Sequence, residues 1–590
     1  MTFLRELLAV ILGFFISIFI MFFVFAMIAS VLGSQFGGDD VVKVKENSIL
    51  TLKLDAQIKD YAPNIDDPFA LILGLNDKRM GLNEMINAIE NAKTDDNIKG
   101  MSIEVLNLNA GISQVQSLRD KIQEFKETGK FVYAYADVYP QKSFYFGSVA
   151  DSMFVNPVGE IEFKGLSSEV IYLKDFQDKY GFKLEVVRHG KYKSAVEPFL
   201  ANEMSAENRE QTKSFLQSIW DEMVEDIGYN KNKTSEELNK IADELEARNP
   251  ERALASNMVH GSIYRDQYRE KLKNRVGVED VEDVNYITLK KYIESGKGRI
   301  KSSAKDRVAV IYAQGEIIYG DGDENTIGQE LIISALKKAK KNPSVKAIVL
   351  RINSPGGSGL ASDIMWRELE LTADKLPLVV SMGDVAASGG YYMACNADYI
   401  FAEPTTITGS IGVFGILPNL SKFVGDIGIN AEQVGTNRQS SGYSLFEPMN
   451  PEFYGNVQSS INDFYQTFVQ KVADGRNMTF AEVDSVAQGR VWTGVQAKEI
   501  GLVDELGSLE DAIEKAANLA DLSSYQVRNY PDYQKEFKDA FKGMSFVKTS
   551  KEKLLQSELG EENYRVYKQI EEFSNWKGVQ ARVPFLFNIN

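Results

Sequence analysis

KAIVLRI, residues 346–352, is a short apolar run rich in β-branched side chains, and KGMSIEV, residues 99–105, is its weaker copy 247 positions earlier. The same offset carries Gly81 onto Gly328, Ala88 onto Ala335 and Ala92 onto Ala339. It continues through Asp137 and Asp384, Tyr145 and Tyr392, Asp151 and Asp398, Pro157 and Pro404, Gly165 and Gly412, and Gly181 and Gly428. One register held over about a hundred positions marks a tandem duplication, and its period is far too long for a solenoid. Within the second copy, RVAVIYAQGEI, VKAIVLRIN and LPLVVSMG read as buried strands. IGQELIISALKKAKKNP, ASDIMWRELELTAD and SGGYYMACNA between and after them carry helical spacing. YIFAEP and TGSIGVFG follow as short strands and turns. Strands alternating with helices predict an α/β unit with mostly parallel strands and right-handed crossovers. A helical segment rich in Glu, Asn and Lys, about 204–246, has its counterpart at about 451–489.

The whole chain bounds what such a pair can be. Its 590 residues exceed one core, and 44% apolar and 25% charged content is ordinary for globular protein. A net charge of −17 with a pI near 5.0 excludes a nucleic-acid partner. The single cysteine, Cys395, permits no intrachain disulfide and no cysteine metal cage, and it reads as a small core residue. Two histidines, His189 and His260, leave no His-rich metal site and little room for a Ser-His-Asp triad. No cofactor is expected. At the N-terminus, residues 7–33 run for 27 positions without a charge, long enough as a helix to cross a bilayer core of about 30 Å. A cleavable signal peptide has a shorter apolar core, so an uncleaved anchor is expected. Arg5 before it, and Asp39 and Asp40 after it, put the N-terminus in the cytoplasm. The expected division is residues 1–6 inside, 7–33 in the membrane, 34–45 a linker, 46–300 and 301–545 the two repeats, and 546–590 a tail. The stretch KGMSFVKTSKEKLLQSELGEENYRVYKQIEEFSNWKG, from about Lys542 to Gly578, is charged with helical spacing and reads as a solvated or packing helix, and the apolar VPFLFNIN at the end is expected to dock on a neighbour.

The two copies carry different chemistry. GDVAASGGYYMA, residues 383–394, sets Ser388 among Ala and Gly at the start of a helix, where a hydroxyl is accessible and backbone N–H groups are near. Yet the 46 residues 376–421 contain no Lys, Arg or His to take its proton. The counterpart of Ser388 is Gln141, flanked by Lys142 and Ser143, so the first copy lacks a nucleophile. That copy holds RHGKYKSAVEPF, residues 188–199, whose Lys193 falls on Ser440 of the second. A lysine acts as a base only when neutral, which burial in an apolar cleft achieves by lowering its pKa from about 10.4. The alternatives are a surface lysine or a pair with Glu197 four residues on. NSPGGS, residues 353–358, offers Gly356 and Gly357, which fit either an oxyanion site or a tight turn. TGSIG, residues 408–412, offers Ser410, which fits either a lysine-holding hydroxyl or a simple turn.

Taken in order, YKSAVEPF, NSPGGS, GDVAASGGYYMA and TGSIGVFG, with the anchor, the duplication and the late GRVWTGVQAKEIGLVDELG (489–507), resemble the long form of bacterial signal peptide peptidase A. The resemblance covers nearly the whole chain. It implies a crotonase-like and ClpP-like ββα superhelix in each repeat, and a serine protease with a Ser-Lys dyad. Ser388 would be the nucleophile, Lys193 the general base, Ser410 its orienting hydroxyl, and Gly356 and Gly357 the oxyanion glycines. It further implies a bowl-shaped homotetramer on the bacterial inner membrane, its catalytic body in the periplasm, degrading signal peptides left after secretion and other apolar peptides. Three rival readings remain: a serine hydrolase using His189, a crotonase-fold CoA enzyme, and a non-catalytic membrane scaffold.

Overall fold

The computed structural model describes residues 12–23, 42–62, 79–533, 560, 564 and 579–582. Strand Val345–Ser354 shows why the repeat folds as it does: apart from Lys346 and Asn353 every residue is buried. Its neighbour Arg307–Gln314 feeds two layers at once. Ala309, Ile311 and Ala313 pack with Ile348, Leu350 and Ile352 on one side. Val308, Val310 and Tyr312 pack with Ala347, Val349, and Ala512 and Ala516 of helix Leu509–Leu519 on the other. Apolar side chains on both faces suit a parallel strand sandwiched between helices.

The first sheet runs Gly261–Ser262, Ser152–Ile161, Phe131–Tyr139, Ile98–Ile103, Ser48–Leu52, Asn285–Thr288, all parallel. The second repeats that order as Glu505–Leu506, Tyr399–Ala402, Leu378–Ala387, Val345–Ser354, Arg307–Gln314, Gln526–Tyr530. Ile407–Gly409 also pairs with Leu378–Ala387 and carries Val491–Thr493 antiparallel on its outer side. The duplication is therefore visible in topology. Helices Leu82–Thr94 and Gln329–Lys341 stand 247 positions apart at both ends. Even the repeated aspartates do one job: Asp151 accepts from Val132 N, and Asp398 from Leu378 N, both at the start of the matching strand. Later the spacing changes. The long helices Ala206–Lys231 and Pro451–Arg476, within the two segments read as helical, are 245 apart.

The spacing changes because the copies diverge after Gly181 and Gly428. Strand Lys183–His189 has no counterpart, since residues 430–436 form no strand and Ser440 lies in an exposed loop. Lys183–His189 instead pairs antiparallel with Val413–Asn419 of the other copy, from His189 against Val413 to Lys183 against Asn419. A third, mixed sheet results, in the order Thr326–Gly328, Glu316–Ile318, Gly356–Ser358, Gln580–Arg582, Val413–Asn419, Lys183–His189. It joins both repeats and a piece of the tail. Within the stretch read as helical, residues 560 and 564 are described and both are helical, and Gln580–Arg582, just past it, is a strand. VPFLFNIN, residues 583–590, lies outside the described residues. Most of residues 7–33 lies outside them too. The described part, 12–23, is a helix with Phe14, Phe15, Phe19 and Phe22 exposed, and no helix among the described residues is long and apolar enough to cross a membrane.

Buried polar groups bind the repeats together elsewhere. Arg351 Nε pairs with Asp60 at 2.7 Å, both fully buried, and Gln114 N donates to Asp384 at 3.2 Å. Glu403 accepts from Ser117 Oγ at 2.7 Å, and burial pushes its carboxyl up to about 8. The folded protein therefore holds a proton that the unfolded chain releases above about pH 4.5. Stability is lost as the pH climbs from there through about 8. Glu403→Gln removes that loss: its thermal midpoint is expected to match wild type at pH 5 and exceed it at pH 9.

Candidate active site

Ser388 stands at the end of strand Leu378–Ala387 and caps the N-terminus of helix Gly389–Ala394. Its backbone is strained, with φ 55° and ψ −112°, a region that non-glycine residues seldom adopt. Two backbone bonds hold it there, Ser388 N to Gly409 O at 2.8 Å and Tyr392 N to Ser388 O at 2.8 Å.

Lys193 comes from the loop that follows Lys183–His189, so the cross-repeat pairing is what brings the first copy's lysine to the second copy's serine. Its Nζ lies 2.8 Å from Ser388 Oγ, 3.0 Å from Ser410 Oγ and 3.0 Å from Ser410 O. All three side chains are completely buried. Burial alone, with no charge offsetting it, holds the Lys193 amine well below the ordinary lysine range. Its burial sets the surface-lysine alternative aside, and Glu197 accepts from Asn208 Nδ2 at 2.6 Å rather than pairing with it. Ser410 also has a positive φ, 49°, and its N donates to Arg490 O at 2.7 Å.

The remaining expected residues fall beside this pair. Gly356 and Gly357 form strand Gly356–Ser358 with φ of 95° and 153°. A methyl on Gly356 would come within 2.9 Å of Gly389 N, so the glycine strand passes directly over the residue after Ser388. The backbone N–H after a nucleophile is a usual oxyanion donor. His189 is elsewhere: its ring stacks on Tyr465 with centroids 3.9 Å apart, and Nδ1 meets Asn462 Oδ1 at 2.9 Å. His260 Nδ1 accepts from Met153 N at 3.0 Å, and burial lowers its pKa to about 4. Asp504 does the same for Ile400 N at 2.8 Å in the other repeat. Burial pushes the Cys395 thiol up to about 12, as befits an inert core residue. Among the described residues, no group of His, Cys, Asp and Glu could hold a metal ion.

Two contributors escaped sequence reasoning. Gly489, with φ 80°, lies against the Lys193 backbone: a Cβ there would meet Lys193 Cβ at 2.7 Å and its Cα and N at 2.8 Å. Gln211 Nε2 holds the lysine loop from outside, donating to Tyr192 O at 2.9 Å and Ser194 Oγ at 2.8 Å. Gly489 opens the quoted GRVWTG motif, but nothing local tells which chain segment it admits.

A strained, buried serine facing an amine and a glycine strand defines a site of the serine-hydrolase class. Residues 124–279 and 370–523 each match Peptidase family S49. The chain belongs to that family, and it is a serine protease. Protease 4 of Haemophilus influenzae is 34% identical over 83% of this chain and 82% of its own length. The chloroplastic serine protease SPPA of Arabidopsis thaliana is 32% identical over 81% of this chain and 70% of its own. A putative signal peptide peptidase SppA of Enterococcus faecium is 31% identical over 39% of this chain and 70% of its own. Among solved structures, a point mutant of ClpP1 from Listeria monocytogenes is similar with a TM-score of 0.23 and 16% identity, covering 35% of this chain and 94% of that one.

Proposed function

We propose that this protein is a membrane-anchored endopeptidase with a Ser-Lys dyad, which degrades signal peptides left in the bilayer after secretion. The observation that carries this reading is the 2.8 Å separation of Lys193 Nζ and Ser388 Oγ in a fully buried setting. Desolvation favours the neutral amine, the form that can take a hydroxyl proton. Ser388 then attacks the scissile carbonyl while Lys193 accepts its proton and Ser410 keeps the amine aimed. Backbone N–H groups around Gly356, Gly357 and Gly389 stabilise the oxyanion. Lys193 returns its proton to the leaving amine, and water, deprotonated by the same lysine, releases the acyl group. No metal or cofactor enters.

Supporting the substrate assignment are the charge-free run at residues 7–33 and the relative in Enterococcus faecium named as a putative signal peptide peptidase. On this reading residues 1–6 lie in the cytoplasm, 7–33 cross the bacterial inner membrane, and 34–45 link to a periplasmic body. That body comprises 46–300 with the lysine, 301–545 with the serine and a tail at 546–590, each repeat a ClpP-like superhelix, assembled as a homotetramer.

The test is to incubate the full chain in detergent micelles with a synthetic signal peptide, and in parallel with a serine-directed phosphonate. Cleavage of the peptide and covalent labelling at Ser388 are expected; an intact peptide with unlabelled Ser388 overturns the proposal. His189→Ala is expected to retain activity within about twofold, because the ring contacts neither Ser388 nor Lys193 and substitutions away from reacting groups have small effects. Loss of turnover in that variant would favour the histidine-dependent hydrolase.

A further inference from the structure

One strand of the third sheet comes from far along the chain. Gln580–Arg582 lies antiparallel to the glycine strand, with Gly356 opposite Arg582, Gly357 opposite Ala581 and Ser358 opposite Gln580. On its other edge Gln580 pairs with Phe414, and Gly359 N donates to Val579 O at 3.1 Å. The tail thus fills the gap between the strand over Ser388 and the strand that holds the lysine loop, as an extended peptide adding to a sheet edge would.

Its register is informative. A methyl on Gly356 would come within 2.0 Å of the Ala581 carbonyl oxygen, and one on Gly389 within 3.1 Å. That carbonyl therefore sits where the glycine strand meets the residue after Ser388, the place an oxyanion would form. The Ala581 methyl is fully buried, in the apolar cluster that includes Ile317 and Val413. The next side chain, Arg582, is 4% exposed and meets Glu316 Oε1 at 2.9 Å. Ile317 also pairs with Gly357, so Glu316 is one residue back along the neighbouring strand. The pair flanks Gly356, which lies opposite Arg582.

We propose that Glu316 is a specificity residue of this protease: it reads a basic side chain immediately after the scissile bond, with a small residue immediately before it. The tail at residues 579–582 is the chain's own competitor for that groove. This rests on the peptidase reading above and adds to it the sequence class of the substrate. Glu316 acts on the substrate side chain and takes no part in bond breaking.

The experiment compares two quenched peptides, VQARVPF from the tail itself and its Arg-to-Glu analogue, cut by the full chain. The Arg peptide is expected to have about tenfold higher kcat/KM, the ratio one partly buried charge pair supports, and Glu316→Arg is expected to reverse the order. Arg582→Glu, which expels the tail, is expected to lower KM for the Arg peptide about threefold or more at unchanged kcat, the signature of a removed competitor. Equal rates for both peptides in wild type and Glu316→Arg overturn the proposal. If neither peptide is cut at all, the peptidase reading has failed, and binding decides this one. Labelled copies of both peptides are then titrated onto the Ser388→Ala, Arg582→Glu chain, where tighter binding of the Arg peptide sustains the proposal and equal binding overturns it.

Discussion

Lys193→Met is expected to reduce kcat/KM on a peptide substrate about ten-thousand-fold or more while leaving the protein at least as stable at pH 7 as wild type. The two halves of this expectation come from the same fact. Lys193 is wholly buried, and desolvation alone depresses its pKa. Folding therefore disfavours the protonated amine that the unfolded lysine holds, and that opposes folding. The sign follows: a lysine whose folded value lies below its unfolded value weakens the fold at neutral pH, and the loss fades as the pH rises toward the ordinary lysine range. Met keeps much of the aliphatic volume and has no proton to lose, so the loss disappears with the amine. A structural lysine would behave in the opposite way. Ser388→Ala is expected to abolish turnover to the same extent, and the double variant to be no worse than either, because the two groups act as one unit. Wild-type kcat/KM is expected to rise with pH along a single limb set by Lys193, since only its neutral form accepts the proton. Thermal melts of both variants beside peptide kinetics check all of this. A Met variant that melts well below wild type, or turns over within tenfold of it, would sink the dyad.

The serine was legible because its signal is local: small neighbours, a strand behind it and a helix ahead, all within GDVAASGGYYMA. Comparing the copies raised the lysine as one option among several, and the resemblance to signal peptide peptidase A is what singled it out. One repeat had lost its nucleophile, and the other held no cation near its own. The fold followed from the same comparison, since buried parallel strands keep their apolar runs through divergence. What stayed hidden depends on segments distant in sequence. Lys183–His189 becomes a strand by pairing with Val413–Asn419, and its equivalent stretch in the second copy does not. Gln580–Arg582 falls between the charged stretch and the apolar end of the chain, with no local pattern to mark it, and its strand conformation comes from the groove it enters. Gly356 was read as one of two options, oxyanion glycine or tight turn. The structure adds a third reason for it: any side chain there would strike Ala581 O.

Gly489→Ala is expected to lower kcat/KM about a hundredfold, with KM little changed and phosphonate labelling of Ser388 slowed in parallel, because a misplacement of about 1 Å can have that effect on catalysis. The added methyl has nowhere to go. It would lie 2.7 Å from Lys193 Cβ and 2.8 Å from its Cα and N, all atoms near the backbone that no rotamer change can move. Gly489 itself cannot retreat, since its N donates to Ile411 O at 2.8 Å and Ser410 Oγ approaches its carbonyl at 3.4 Å. Nor can the lysine loop yield freely, being tied by Tyr192 N to Gln488 O at 3.0 Å and by Gln211. The methyl must therefore push Lys193 away from Ser388. A second contribution, the positive φ of 80°, strains any non-glycine residue irrespective of contact. Gly129→Ala separates the two: φ there is 86°, but nothing lies within 4 Å of the new methyl. That variant is expected to lose about 1 kcal/mol of stability and no activity. If Gly489→Ala loses only stability, like Gly129→Ala, the glycine serves the turn alone. If it loses turnover while still folded, close packing against Lys193 is what keeps the amine on the serine.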